Sequence, residues 1–343
     1  MPTPINIQEF LELAKHHPVL DVRSPAEYAN GCIPGAHSLP LFTDEERAIV
    51  GTAYKQVSRE VAVNKGLEIF GPKMKLLADQ AKAIDKGTTF LVHCWRGGMR
   101  SGTIAWLLEL YGFKVYLLRG GYKAFRKNVL NSFELERKIN ILGGKTGAGK
   151  TLILKEFEEL GEQVVDLEGL AHHKGSSFGA LGEKPQPTQE MFENTLFMCL
   201  NKTDTTRAIW VEDESNMIGT KVIPKAFFIH MRNSPVYFMD IPFETRLNYL
   251  VEEYGKFDIS EIEKAIERIK KKLGGQHVKT ALESIKEGDL KTAFGICLSY
   301  YDKTYDYGIN KRSPESIVNC SFQELNIKEI ASTIIVKAIN SKI

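Results

Sequence analysis

Ile139-Asn140-Ile141-Leu142-Gly143-Gly144-Lys145-Thr146-Gly147-Ala148-Gly149-Lys150-Thr151 runs from an apolar strand into a glycine loop, and Leu152 to Leu160 continue as a helix. Gly144 to Thr151 fits G-x-x-x-x-G-K-[ST], and a strand before it with a helix after it is the setting in which that spacing makes a phosphate loop. The glycines let backbone amides point inward at a diphosphate, Lys150 adds a point charge, and Thr151 can hold Mg²⁺ when a metal is present. The loop therefore defines a diphosphate-shaped ligand. It does not define hydrolysis, because nothing in it fixes an attacking water. Downstream, Ile209-Trp210-Val211-Glu212-Asp213-Glu214-Ser215 reads as the acidic strand end that completes such a site, with Glu212 or Asp213 as its carboxylate; a solvated turn is the other reading.

Working outward, the second half has the α/β rhythm of this first unit. Gln163 to Leu167, Ala208 to Glu212 and Val236 to Asp240 are strand candidates. From about residue 258 the pattern turns helical. Ser260-x-x-Glu263 has capping-box spacing, Ile259, Ile262, Ile266, Ile269 and Leu273 form one apolar face, and Gly274-Gly275 ends the run. Val278 to Ile285 and Ala293 to Tyr301 read as two more helices. On the N-terminal side, Pro18 to Arg23, Thr89 to His93 and Lys114 to Leu118 are strands, and a helix over Ile104 to Tyr111 stops at Gly112. The expected fold is α/β throughout, with a parallel sheet in each half. The boundary falls near 135, giving domains 1–134 and 135–343, the latter with a helical appendage.

A second anion loop lies in the first half. His93-Cys94-Trp95-Arg96-Gly97-Gly98-Met99-Arg100-Ser101 follows a buried strand and opens a helix, so Cys94 sits beneath converging amides and a helix N-terminus that favour thiolate over thiol. Gly97 and Gly98 let the loop curl, Arg96 and Arg100 add positive charge, and the whole forms a cradle for a tetrahedral anion with a nucleophile at its floor. Cys94 followed by five residues and Arg100-Ser101 satisfies the spacing of cysteine phosphatases. Rhodanese-type sulfur transferases use a similar loop, usually one residue shorter. Leu20-Asp21-Val22-Arg23-Ser24-Pro25-Ala26-Glu27-Tyr28, with Gly31-Cys32-Ile33-Pro34-Gly35-Ala36, resembles the opening signature of rhodanese domains; Cys32 stands where that signature more often has His.

Composition narrows the class. The chain has 343 residues, 43% of them hydrophobic, and 45 Lys+Arg against 43 Asp+Glu, which suits two folded domains and excludes disorder. No window approaches ~18 uncharged apolar residues, and the start lacks a signal peptide, so a cytoplasmic protein with no membrane partner is expected. The five cysteines are scattered without a C-x-x-C pair, so neither a disulfide framework nor a zinc site is expected. A net charge of +2 means that a nucleic-acid partner needs a local basic patch.

With both loops located, the chain resembles the tRNA 2-selenouridine synthases along roughly residues 20 to 255. The resemblance rests on the two loops and on Leu39 to Ala48, Gly51 to Gln56, Gly120 to Ala124, Asp166-Leu167-Glu168-Gly169-Leu170-Ala171, His173-Lys174-Gly175-Ser176-Ser177-Phe178-Gly179, Gln186-Pro187-x-Gln189 and Glu212 to Ser215. Lys174 and Asn216 stand where Arg is expected, and Trp95 where Phe is usual. The resemblance implies a rhodanese-like domain joined to a P-loop NTPase-like domain. It implies an enzyme that exchanges the sulfur of a wobble 2-thiouridine in tRNA for selenium from selenophosphate, and a link to S-geranylation from geranyl diphosphate. It adds Asp166, Glu168, Ser176 and Ser177 to the polar candidates of the P-loop site. No tightly bound cofactor is expected. The alternatives are a cysteine phosphatase, or a rhodanese sulfurtransferase, fused to an NTP-binding regulatory domain.

For the RNA, Arg119, Lys123, Arg126 and Lys127 crowd the segment after the third N-terminal strand, beside Tyr122 and Phe125. Basic side chains there can follow a single-stranded backbone while Tyr122 stacks on a splayed base. Lys270, Lys271 and Lys272 are the next candidates.

Overall fold

In a computed structural model that describes residues 2–341, the chain divides into two units, Met1–Ser132 with Glu193–Thr195, and Phe133–Phe192 with Leu196–Ile343. The first is built on a parallel sheet of β1 (Thr3–Ile5), β2 (Val19–Asp21), β3 (His37–Ser38), β4 (Thr89–His93) and β5 (Lys114–Leu118), in the order β1-β5-β4-β2-β3. The central strand β4 is buried from Phe90 to His93, because helices on both faces leave it no solvent side and its sequence is accordingly an uninterrupted apolar run. The helix Met99–Leu110 begins five residues after Cys94, so the Cys94 loop lies at the carboxyl end of the sheet.

The second unit repeats the plan. Its parallel sheet holds β6 (Ile139–Gly144), β7 (Gln163–Val165), β8 (Ile209–Glu212), β11 (Val236–Asp240) and β12 (Ile317–Ser321) in the order β12-β11-β6-β8-β7. β9 (Met217–Ile218) and β10 (Lys221–Val222) form a separate antiparallel hairpin. β6 is central, so the glycine loop that follows it opens where strand order reverses, with β8 on one side and β11 on the other, the usual ligand position of such sheets. The P-loop helix Lys150–Glu159 buries Ile153, Leu154 and Phe157 against Trp210, Tyr237 and the C-terminal helix Ile327–Asn340.

Between β11 and β12 lie the helices expected from residue 258 onward: Ile259–Arg268, Lys270–Leu273, Gly275–Lys286 and Leu290–Ile309. Ile262, Ile266, Ile269 and Leu273 pack with Val278, Ile285, Phe294 and Leu298 into a core of their own, whereas Ile259 is 53% exposed and leaves the expected face. The first helix is capped by Asp258, whose carboxylate accepts the Ser260 amide at 2.8 Å, and not by Ser260 itself. After Ile309 the chain returns to the sheet as β12, an element with no counterpart in the sequence reading.

Candidate functional site

The Cys94 thiol is buried and lies 3.2 Å from the Ser101 hydroxyl, which itself donates to the Gly98 carbonyl. Burial pushes the thiol up, but the Ser101 hydroxyl and the amides of Ser101, Gly98 and Arg96 outweigh it, and Cys94 titrates below its ordinary value. The loop is pinned from below: the Tyr122 amide donates to the Cys94 carbonyl at 2.8 Å and the Lys123 amide to the Trp95 carbonyl at 2.9 Å. Gly121, at φ +61°, makes that approach possible, since a Cβ there would stand 2.4 Å from both the Cys94 oxygen and the Gly97 nitrogen. The stretch Gly120 to Ala124 is therefore the seat of the cysteine loop.

The arginines divide. Arg96 is exposed, while Arg100 is bound to Glu27 at 2.6 Å, so much of its charge is already neutralised. Asp21 and Arg23 of the opening signature form a fully buried ion pair, with the guanidinium 3.7 Å from the centre of the Tyr122 ring. Tyr122 is fully buried, stacked between Arg23 and its neighbours, and so is unavailable to a base. Arg126 is paired with Glu193 and bonded to Asn194 in the same unit. Of the basic cluster expected to meet RNA, Arg119, Lys123 and Lys127 remain exposed. His93 is buried and held neutral, pushed down to about 4 by desolvation. Burial raises the Cys32 thiol, which makes it a poor second nucleophile.

The P-loop borders a cavity of about 1000 Å³ lined by Thr146 to Leu152, by the Lys174 to Ser177 turn, by Asp213 to Met217, and by the rings of Tyr249, Tyr254, Tyr300, Tyr301 and Tyr305. Lys150 donates to the Gly144 carbonyl at 3.1 Å, and the Thr151 hydroxyl donates to Glu168 at 3.2 Å. Asp166 is a helix cap, accepting the Gly169 amide at 2.7 Å. Glu212 lies beneath the cavity and not in its wall: one oxygen accepts the Glu168 amide at 2.6 Å and the other is buried without a partner. Asp213 accepts from Arg312 at 2.6 Å and from Tyr305 at 2.9 Å. The carboxylates that face the cavity beside Lys150 are Glu168 and Glu214, and the Cβ of any residue replacing Gly175, at φ +67°, would lie within 3.0 Å of both. Burial raises Glu168, Glu212 and Glu214; the charges of Asp166, Glu168 and Glu214 raise Glu212 further and that of Glu168 raises Glu214, while Lys150 lowers both Glu168 and Glu214. Among the described residues no group of three His, Cys, Asp or Glu side chains is arranged to hold a metal ion, and the Thr151 hydroxyl is directed at Glu168. Thr151, with Glu168 and Glu214 beside it, is the group that would hold Mg²⁺ against the oxygens of a bound diphosphate.

One helix, Leu290–Ile309, organises the loops of this cavity. The Tyr305 hydroxyl accepts the Gly144 amide at 3.0 Å, Asp306 pairs with Lys145 at 2.9 Å, and Asp302 holds Arg246, which donates to the Thr146 carbonyl. The Tyr301 hydroxyl accepts the Ser177 amide at 2.7 Å and donates to the Ser177 hydroxyl at 2.6 Å, while the Ser176 hydroxyl accepts the Phe178 amide. These aromatic residues were missed by the sequence reading. The signal was present, in that Tyr301, Asp302, Tyr305 and Asp306 recur at the i, i+4 spacing of a single helix face.

Comparison with known proteins finds a match for each half of the chain. The tRNA 2-selenouridine synthase AAA domain matches residues 137–262, and the rhodanese-like domain matches residues 6–128. The tRNA 2-selenouridine synthase of Hydrogenovibrio crunogenus is 34% identical, over 87% of this chain and 91% of its own length. That of Shewanella loihica is 36% identical, over 92% and 93%. The chain belongs to the tRNA 2-selenouridine synthase family. A solved structure, the N-terminal domain of a putative ATP/GTP binding protein from Clostridium difficile 630, is 40% identical over 37% of this chain and 99% of its own, with a TM-score of 0.35.

Several of the stretches that resemble tRNA 2-selenouridine synthases acquire a physical role in this chain. Gln186 donates to the Ala171 and Ile218 carbonyls and accepts the Thr220 amide, and Gln189 exchanges two hydrogen bonds with Val222. The Gln-Pro-x-Gln stretch thus fastens the β9–β10 hairpin. Lys174, which replaces the expected Arg, is bonded to Glu253 at 2.8 Å. Asn216 lies in the cavity wall. Among the described residues no helix is long and apolar enough to cross a membrane.

Proposed function

We propose that this chain acts on tRNA, replacing the sulfur of a wobble 2-thiouridine with selenium from selenophosphate by way of an S-geranyl intermediate made from geranyl diphosphate. The observation that carries the reading is the P-loop cavity, where Lys150 and the loop amides share one space with the rings of Tyr249, Tyr254, Tyr300 and Tyr301 and with Leu250. A diphosphate end and an apolar, aromatic-walled space suit an isoprenoid diphosphate. The thiocarbonyl sulfur attacks the allylic carbon, the carbon–oxygen bond breaks, and Lys150 stabilises the departing diphosphate. Alkylation turns the sulfur into a leaving group. The selenium of selenophosphate then adds at C2, the carbon–sulfur bond breaks to release geranyl thiolate, and water cleaves the selenium–phosphorus bond to release inorganic phosphate. Cys94, a depressed-pKa thiol in an amide cradle with exposed Arg96 at its rim, suits the handling of selenophosphate, its phosphate end held by the loop. On this reading the enzyme works in the cytoplasm with its RNA and needs no tightly bound cofactor.

The test is mass spectrometry of wobble nucleosides after incubating 2-thiouridine tRNA with geranyl diphosphate and selenophosphate. Cys94→Ser is expected to abolish selenium incorporation while S-geranyl nucleoside persists, and Lys150→Ala is expected to stop geranylation. Selenation at the wild-type rate by Cys94→Ser, or a requirement for ATP hydrolysis, overturns the reading.

A further inference from the structure

The P-loop cavity carries exposed cations that no acidic side chain among the described residues neutralises. Lys155 from the P-loop helix, and Arg268 and Lys272 from the helical segment after residue 258, all line the cavity and are exposed. None of the three has an acidic partner among the described residues, whereas Lys174 in the same wall is bonded to Glu253 and Lys145 to Asp306. Arg268 also lies close enough to His173, another wall residue, to help hold its imidazole neutral. A diphosphate is already served by Lys150 and the loop amides, so the outer cations are free for a second, larger anion. The rings of Tyr249 and Tyr300 line the same space.

A nucleotide whose sulfur is to be alkylated must reach the carbon attached to the bound diphosphate. Its flanking phosphates then have to cross the cavity mouth. We propose that Lys155, Arg268 and Lys272 receive the sugar-phosphate backbone of the anticodon loop, while Tyr249 or Tyr300 stacks on the nucleotide turned into the cavity. This surface rests on the reading that tRNA is the substrate. It assigns the helical segment between β11 and β12 to RNA binding, and it replaces the cluster around Tyr122 as the principal contact.

The experiment is a fluorescence-anisotropy titration of the full chain with a labelled anticodon stem-loop bearing 2-thiouridine, repeated between about 50 and 200 mM salt. The Arg268→Ala/Lys272→Ala variant is expected to bind more weakly, with a log–log salt slope shallower by roughly 1.4, two contacts at roughly 0.7 each on a single strand. Its calorimetric affinity for inorganic diphosphate should equal that of the wild type. Lys264→Ala, an exposed cation of the same helix outside the cavity lining, should leave the slope unchanged. An unchanged slope in the double variant, loss of diphosphate binding with it, or an equal effect from Lys264→Ala each overturns the surface. Failure of the wild-type chain to bind the stem-loop at any salt concentration overturns the tRNA reading as well.

Discussion

Cys94 owes its chemistry to one hydroxyl and a few amides. Because the folded thiol titrates below its ordinary 9.0, the thiolate is populated at lower pH than in a free cysteine. The rate of alkylation by iodoacetamide should therefore reach half its plateau below the midpoint of a model thiol. Ser101→Ala, which removes the 3.2 Å hydroxyl contact, should shift that midpoint upward, and an unmoved pH–rate profile would show that the amides alone set it. Gly121 carries a different burden. An alanine there meets both a positive φ and a 2.4 Å approach to the Cys94 oxygen, so Gly121→Ala should destabilise the fold by more than ~2 kcal/mol in denaturant titration. Glu212 gives a pH effect of opposite sense to the usual acid denaturation. Its folded pKa is raised above the ordinary 4.5, so the native state holds the proton more tightly than the unfolded chain. That contribution is complete below pH 4.5 and is lost as pH rises through the folded value. Glu212→Gln, which keeps the neutral shape, should raise the melting temperature relative to wild type at pH 7 to 8, with the gap closing toward pH 4.5.

At the scale of elements, the helix Leu290–Ile309 is a brace for loops that a glycine-rich sequence could not hold still alone. Tyr305 joins the Gly144 amide to Asp213, so Tyr305→Phe keeps the ring packed on Phe238 while deleting both hydrogen bonds. The expected result is an unaltered fold with weaker binding of inorganic diphosphate, about 1 kcal/mol for each bond lost, measured by calorimetry. Equal affinity in Tyr305→Phe would mean that the loop holds its shape unaided. The same helix shows why part of the site was hard to foresee. Strands such as Thr89–His93 and Val236–Asp240 announce themselves through continuous apolar runs, and the two anion loops through glycine spacing. The tyrosines of this helix read as ordinary core until the loops they touch are in place. The capping of Ile259–Arg268 was misread because Asp258 and Ser260 both offer a cap two residues apart, and only backbone geometry decides between them.

For the whole molecule, each unit places its anion loop at the carboxyl end of a parallel sheet, and this much follows from alternating strand and helix signals alone. What did not follow concerns edges. β1 and β3 have only three and two residues, and β12, Ile-Val-Asn-Cys-Ser, is half polar because an edge strand needs fewer apolar neighbours. The polar candidates fared unevenly for a related reason: Tyr122 and Arg126 have the composition of an RNA surface, but burial and an acidic partner decide their use, and neither is visible in a local stretch of sequence.

β12 has one more consequence, which concerns synthesis. Residues 317–321 complete the sheet beside β11, and the helix Ile327–Asn340 covers the P-loop helix with Ile330, Ala331 and Ile334. A ribosome that has delivered both anion loops and the whole helical segment has still not delivered the pieces that seal this core. Until residues 317–340 emerge, the β11 edge stands unpaired and the apolar face of Lys150–Glu159 is open to other chains. A chain cut after residue 310 should accordingly carry every recognition motif intact and yet partition into the insoluble fraction on expression, a loss that co-expressed chaperones would reduce.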